Sequence, residues 1–197
     1  MQLNTQLPNG YRFVELSAEE FEQLVWQEWA PKIFDGNHTS LDFRKVLSED
    51  ELLHTRNLYK NLAGLYSFNL CIFKGDEFCG WFFGQQQNNH TFYMQNSAIL
   101  PQFRKQGLYT ALLHEVLNKI KNKGFQIVLS RHIATNNSII IPKLKAGFVI
   151  TGLELSDRFG TLVHLSYFFN ETRRKVMSFR AGELQPDQKL KNALGIK

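Results

Sequence analysis

Residues 97–113 place four features in unbroken succession: an apolar strand end, a proline, a short cationic loop with one glycine, and an amphipathic helix. They read Ser97-Ala98-Ile99-Leu100-Pro101-Gln102-Phe103-Arg104-Lys105-Gln106-Gly107-Leu108-Tyr109-Thr110-Ala111-Leu112-Leu113. The helix has the clearest period in the chain, because Leu108, Ala111, Leu112, Val116, Leu117 and Ile120 share one face. Lys119, Lys121 and Lys123 suit its C-terminal dipole, and Gly124 closes it. A helix start leaves about four backbone N–H groups unpaired, and the dipole adds partial positive charge there. Gly107 lets the backbone approach a ligand. The arrangement suits an anion, with a pyrophosphate as the natural guest. It also has the outline of an ordinary strand-to-helix turn. It is neither a Walker loop nor a dinucleotide fingerprint, since it lacks their further glycines.

The flanking sequence supplies a layered fold around this turn. Tyr11–Leu16 reads as a strand. Ser17 and Glu20 form a capping-box pattern before a helix that carries Phe21, Leu24 and Val25 and meets Pro31 near its end. Residues 35–47 show no clear period, and Ser48-Glu49-Asp50-Glu51 opens another helix. Residues 66–73, 78–85 and 91–100 are aromatic and β-branched, with Gly75-Asp76 and Asn88-Asn89 as turns between them. A strand at 126–133, a helix at 136–146 and a hairpin of 148–155 with 161–169 complete the order. Strand, helices, three strands, helix, strand, helix and two strands make an α/β (α+β layered) domain.

Charge and composition remove several function classes. From Glu171 onward, seven Lys/Arg stand against three Asp/Glu, which carries +4 of the chain's +5 and leaves the body nearly neutral. A neutral body is unlike a nucleic-acid-binding domain, which needs a basic face. No apolar run approaches the roughly 18 residues of a membrane span. The opening MQLNTQLPNG has no basic start or apolar stretch of a signal peptide, so the cytoplasm is the default location. Cys71 and Cys79 have neither metal nor disulfide spacing and read as reduced structural thiols. The scattered histidines show no ligand spacing, so no metal is expected.

Arg104-Lys105-Gln106-Gly107-Leu108-Tyr109 resembles the [RQ]-x-x-G-x-[GA] acyl-CoA loop of the GNAT N-acetyltransferase superfamily. Ile99-Leu100-Pro101 resembles the end of that family's fourth strand. Asn136, eleven residues before Gly147-Phe148, matches the family's Asn and Gly-Phe at the two ends of the next helix. The element order from Tyr11 to Phe169 agrees as well. The resemblance implies a GNAT-like mixed, mostly antiparallel sheet of about seven strands, with residues 1–170 as the acyltransferase domain and 171–197 as a basic C-terminal tail or helix.

By resemblance, acetyl-CoA is the cosubstrate and a primary amine the acceptor. The loop from Arg104 through Lys105, Gln106, Gly107, Leu108, Tyr109 and Thr110 would hold the pyrophosphate. The splayed strand around Ser97 and Ile99 would pair with the pantetheine arm and supply an oxyanion donor. Asn136 would hydrogen-bond the pantetheine or cap its own helix. Two departures stand out: Tyr109 replaces the usual small residue, and Lys143 stands where the family often has a Tyr that protonates the thiolate. Lys143 is a proton donor, a contact to a CoA phosphate, or a solvated surface lysine. The fourth strand offers no carboxylate base. His132 is a candidate base or a buried histidine, and Asp35 and His38 are acceptor-wall candidates or plain loop residues. Tyr93 faces the acceptor channel or the core. A non-catalytic acyl-CoA sensor is the alternative function. The tail, with Val176, Phe179 and Leu184, packs on its own domain or on a second subunit in a homodimer.

Overall fold

A computed structural model describes residues 6–34, 42 and 45–196. Seven strands form one sheet in the order β1-β2-β3-β4-β5-β7-β6. They are β1 (Tyr11–Glu15), β2 (Ser67–Lys74), β3 (Glu77–Gln86), β4 (Thr91–Ile99), β5 (Ile127–Ile133), β6 (Val149–Ser156) and β7 (Gly160–Phe168). Only β4 and β5 run parallel, and every other pair is antiparallel. The expected element order and fold class hold, with strand limits moved by a residue or so.

The first helix differs from expectation. It runs as α1 (Ala18–Phe21), a π-helical stretch (Glu22–Trp29) and α2 (Ala30–Phe34), so Pro31 lies inside it. The Ala30 N–H donates to Val25 C=O, five residues back. That wider turn gives the pyrrolidine ring the room a regular helix denies it. The Ser17–Glu20 capping box forms as expected. After it, α3 (Glu49–Tyr59) carries a second capping box at Ser48 but no buried residue.

The remaining helices are α4 (Leu108–Asn122), α5 (Asn137–Lys145), α6 (Glu171–Arg180) and α7 (Gln188–Leu194). The apolar face of α4 is buried as its period requires, from Leu108 to Ile120. The chain after Asn170 is thus largely helical. Asn170 and Asp187 cap α6 and α7, and Leu190 is buried. α6 packs on β7 and α7.

Strand register separates the two faces of the sheet. Phe68, Phe82, Phe92, Met94, Ser97, Ser130 and His132 point to one face. There α4 places Lys119 over Phe68, and α5 places Lys143 against Met94. Trp81, Phe83, Tyr93, Asn96 and Arg131 point to the other, where Phe21 and Trp26 pack on Phe83 and Phe34 packs on Trp81.

The centre of the sheet is deliberately irregular. Opposite Phe83 and Gly84, β4 supplies Asn96 and Met94, so Gln95 is an extra residue in a bulge. β4 pairs with β5 only through Met94 and Ser130. Beyond that point β4 stays on β3 and β5 stays on β7, and a gap opens between them.

Gly84 holds the register at this bulge, because a Cβ there would lie 2.5 Å from the Phe92 ring and 2.8 Å from Tyr93 C=O. Gly84→Ala is expected to lower the unfolding free energy by about 1–3 kcal/mol through overpacking. Urea denaturation checks this, and an unchanged midpoint would contradict it.

Candidate active site

The gap between β4 and β5 forms a cleft of about 160 Å³. Met94, Ser97, His132, Asn136, Ile139 and Lys143 line it from the α4/α5 face, while Phe34, Asn96 and Arg131 line it from the other. Gln95, the bulged residue, sits where the two meet. The cleft therefore passes through the sheet, and two molecules can reach one point from opposite faces.

The Gly107 loop leads from β4 into α4, and Tyr109 next to it neighbours the cleft-lining Ser97. Lys105 and Gly107 both take left-handed backbone angles, φ 62° and 82°. Lys105 is the described non-glycine residue with positive φ, a conformation that costs an ordinary side chain about 1–2 kcal/mol. Such strain persists where the surroundings enforce it, often at ligand clamps. Gly107 occupies the N-cap of α4 and supplies no side-chain cap, so the first-turn N–H groups face outward from a positive helix end.

Several loop side chains hold the loop itself. Arg104 donates from Nε to Ile99 C=O at 2.9 Å, and its backbone N–H donates to Pro101 C=O. Gln106 accepts from the Tyr11 hydroxyl at 2.6 Å and donates to Gln102 C=O. Leu108 and Ile99 bury their side chains in the core, and Thr110 is half-buried. Their contribution to an anion site would come from backbone. The Tyr109 hydroxyl is buried, with the Ser97 side chain near it but no well-aligned hydrogen bond. Burial holds it protonated well above the ordinary phenol range, with Ser97 its polar neighbour.

Asn136 starts α5, but its side chain does not cap that helix. Its Oδ1 accepts from the Ser138 hydroxyl at 2.7 Å, and the residue lines the cleft. A simple N-cap is therefore not its role.

Lys143 departs most from the surface alternative, since it is 1% exposed. Its Nζ lies 3.6 Å from Met94 Sδ and 5.2 Å from the Phe148 ring centroid. No ion pair among the described residues includes it. Burial lowers its pKa from 10.5 to about 7. Asn136, Ile140 and Lys143 follow i, i+4, i+7 spacing, the pattern of one helix face. That spacing was the signal for its burial.

His132 Nε2 lies 3.2 Å from Ser130 Oγ, and burial, followed by the nearby Lys143 charge, pushes its pKa down to about 3. It stays neutral at ordinary pH and is a weak base. Asp35 and His38 lie outside the described residues.

Sequence reasoning missed the polar wall on the opposite face. Arg131 donates from Nε to the Tyr93 hydroxyl at 3.2 Å and from Nη1 to Glu154 at 3.1 Å. Glu154 also pairs with His164 Nε2 at 2.6 Å. These residues come from β4, β5, β6 and β7, and only register brings them together. Tyr93 is half-buried on the face opposite α4 and α5, where its hydroxyl meets Arg131. Among the described residues no group of His, Cys, Asp and Glu could hold a metal. No described helix is long and apolar enough to cross a membrane.

Comparison with known proteins agrees with this geometry. The family model "Acetyltransferase (GNAT) family" matches residues 19–148. The chain belongs to the GNAT acetyltransferase family. No curated protein matches it significantly. A GNAT family acetyltransferase from Elizabethkingia anophelis, solved with acetyl-CoA bound, has a TM-score of 0.55 at 14% identity and covers 82% of this chain and 100% of its own. A GNAT acetyltransferase from Streptococcus pneumoniae reaches 0.58 at 18% identity over 81% and 99%. The ribosomal-protein-S18-alanine N-acetyltransferase from Escherichia coli reaches 0.56 at 14% identity over 81% and 94%. At these identities the likeness is one of fold.

The buried amine has a stability signature. Between about pH 7 and about pH 10.5 the unfolded chain holds a proton on Lys143 that the folded chain does not. The folded state is penalised in full below about pH 7, and the penalty fades as pH rises through that window. Lys143→Met should therefore raise stability by a few kcal/mol near pH 6, with the gain shrinking toward pH 10. Denaturant titrations at several pH values check this; a gain that does not vary with pH would refute it.

Proposed function

We propose that the protein transfers an acetyl group from acetyl-CoA to a primary amine by direct attack within the cleft between β4 and β5. The observation that carries this reading is the cleft's passage through the sheet. Ser97 and Asn136 line it on one side and Arg131, Asn96 and Phe34 on the other. Backbone N–H groups of Lys105 through Thr110 hold the diphosphate. Asn136 and the Ser97 strand edge orient the pantetheine arm, and a β4 N–H polarises the thioester carbonyl. The acceptor approaches along Arg131 and Tyr93, whose positions Glu154 fixes.

Lys143 supplies the proton for the departing thiolate. A thiol's pKa near 8.5 exceeds that of this ammonium, so the transfer is downhill by about 2 kcal/mol. Asp35, which follows the cleft-lining Phe34 in sequence, is our proposed base for the acceptor ammonium in place of the weakly basic His132. We assign residues 1–170 to the transferase and 171–197 to a C-terminal appendage.

A non-catalytic acyl-CoA sensor is the second reading, favoured by the absence of a carboxylate among the described residues lining the cleft. Thiol release from acetyl-CoA, followed across a panel of primary amines, separates the two. We expect amine-dependent release. Gly107→Glu should reduce it by about 100-fold or more by placing a carboxylate and a disfavoured φ in the anion cradle. Tight acetyl-CoA binding with no amine-dependent release from any amine would establish the sensor instead. The rate should also fall as pH rises through about 7, where Lys143 loses its proton. In Lys143→Met that limb should disappear.

A further inference from the structure

Among the described residues, Lys143 is the primary amine that lines the cleft, and it is unusual in three ways. It is buried, it lies in no described ion pair, and the hydrogen-bond partner of its Nζ among the described residues is the poorly accepting sulfur of Met94 at 3.6 Å. Its other neighbours are the face of Phe148 from the end of α5 and, across from β5, the ring of His132 with Ser130 beneath it. None of these groups is an anion that would hold the ammonium charged. Lys121 and Lys123, by contrast, are exposed and do not line the cleft.

The geometry points to Lys143 as an acyl acceptor within the chain itself: when no external amine occupies the cleft, its Nζ takes the acetyl group from acetyl-CoA. This rests on the acyl-CoA reading of the Gly107 loop and extends it. The Nζ lone pair forms a bond to the thioester carbonyl carbon, and the carbon–sulfur bond breaks with its electron pair leaving on sulfur. The proton lost from nitrogen passes to that thiolate, so the products are an acetamide on Lys143 and CoA as its thiol. No other reactant is needed. Burial lowers the amine's pKa and leaves a substantial neutral, nucleophilic fraction near pH 7.

The product differs from the starting residue in two ways that matter. An acetamide carries no charge, so the cost of burying an ammonium disappears. It also cannot protonate a thiolate, so a chain acetylated here loses its proton donor. Acylation of Lys143 is thus a self-limiting brake that engages when donor is plentiful and acceptor scarce. External transfer and self-acylation depend on opposite protonation states of the same nitrogen. Transfer falls and self-acylation rises as pH increases through about 7.

The test incubates the full-length protein with acetyl-CoA and no amine. Intact-mass spectrometry and peptide mapping follow the product, and calorimetry on the same preparation measures acetyl-CoA binding. We expect one acetyl group per chain, mapped to Lys143 and formed at least about tenfold faster than on Lys121 or Lys123, because the donor is held beside it. Formation should speed up from about pH 6 to about pH 8, and added acceptor amine should slow it. Lys143→Arg should lack the adduct, because a guanidinium stays charged. If that variant fails to fold, mapping on the unmodified chain still decides the site. Acetyl-CoA binding without an adduct, or an adduct spread over exposed lysines at similar rates, overturns this inference and leaves the transferase reading intact. Absence of acetyl-CoA binding overturns both.

Discussion

The ladder between β4 and β5 ends at Met94 and Ser130, and most of the site follows from that interruption. A regular parallel pair would have continued to the end of both strands and closed the middle of the sheet. The extra residue at Gln95 turns β4 away, and the β5–β7 ladder keeps β5 from following. The edge of β4 beyond Met94 is left without a strand partner on that side. Backbone groups in such a position seek a partner, and an extended ligand arm supplies one. The same divergence lets the α4/α5 side and the α1/α2 side of the molecule communicate through a sheet that is elsewhere sealed by aromatic packing.

Around this gap the protein accepts electrostatic cost. Lys143 is buried against sulfur and an aromatic face, and His132 is held neutral by burial and by that same lysine. Neither group gains an anionic partner among the described residues. An apolar residue at either position would pack more cheaply. A cationic centre held weakly charged in a desolvated cleft is expensive as architecture, but it is well suited to moving a proton. By contrast, the Arg131–Glu154–His164 set across the sheet is fully paired and partly solvated. It serves as a wall of fixed shape.

Local signals made the fold legible. The 3.6-residue period of α4, the capping boxes at Ser17 and Ser48, and the alternating aromatic strands each lie within a short window of sequence. The Gly107 loop and Asn136 were legible for the same reason. Pro31 lies near the helix end as expected, but the π-helical turn before it had no local signal and accommodates the ring. The burial of Lys143 was written in its spacing from Asn136 and Ile140, but a lysine's charge argues for solvent, and tertiary packing overrode that preference. Arg131, Glu154 and His164 had no local signal, because their meeting depends on the pairing of three strands.

The helices are anchored unequally. α4, which presents the Gly107 loop, buries seven of its residues, whereas α3, which follows Phe34 and the segment after it, buries none. A helix with no core contacts rests on its own caps and internal bonds, which for eleven residues is a marginal foundation in water. Substitutions in such a segment cost the fold little, whereas α4 is locked into the hydrophobic interior. The chain thus joins a rigid loop-and-helix unit to a stretch whose sequence can drift without disturbing the core.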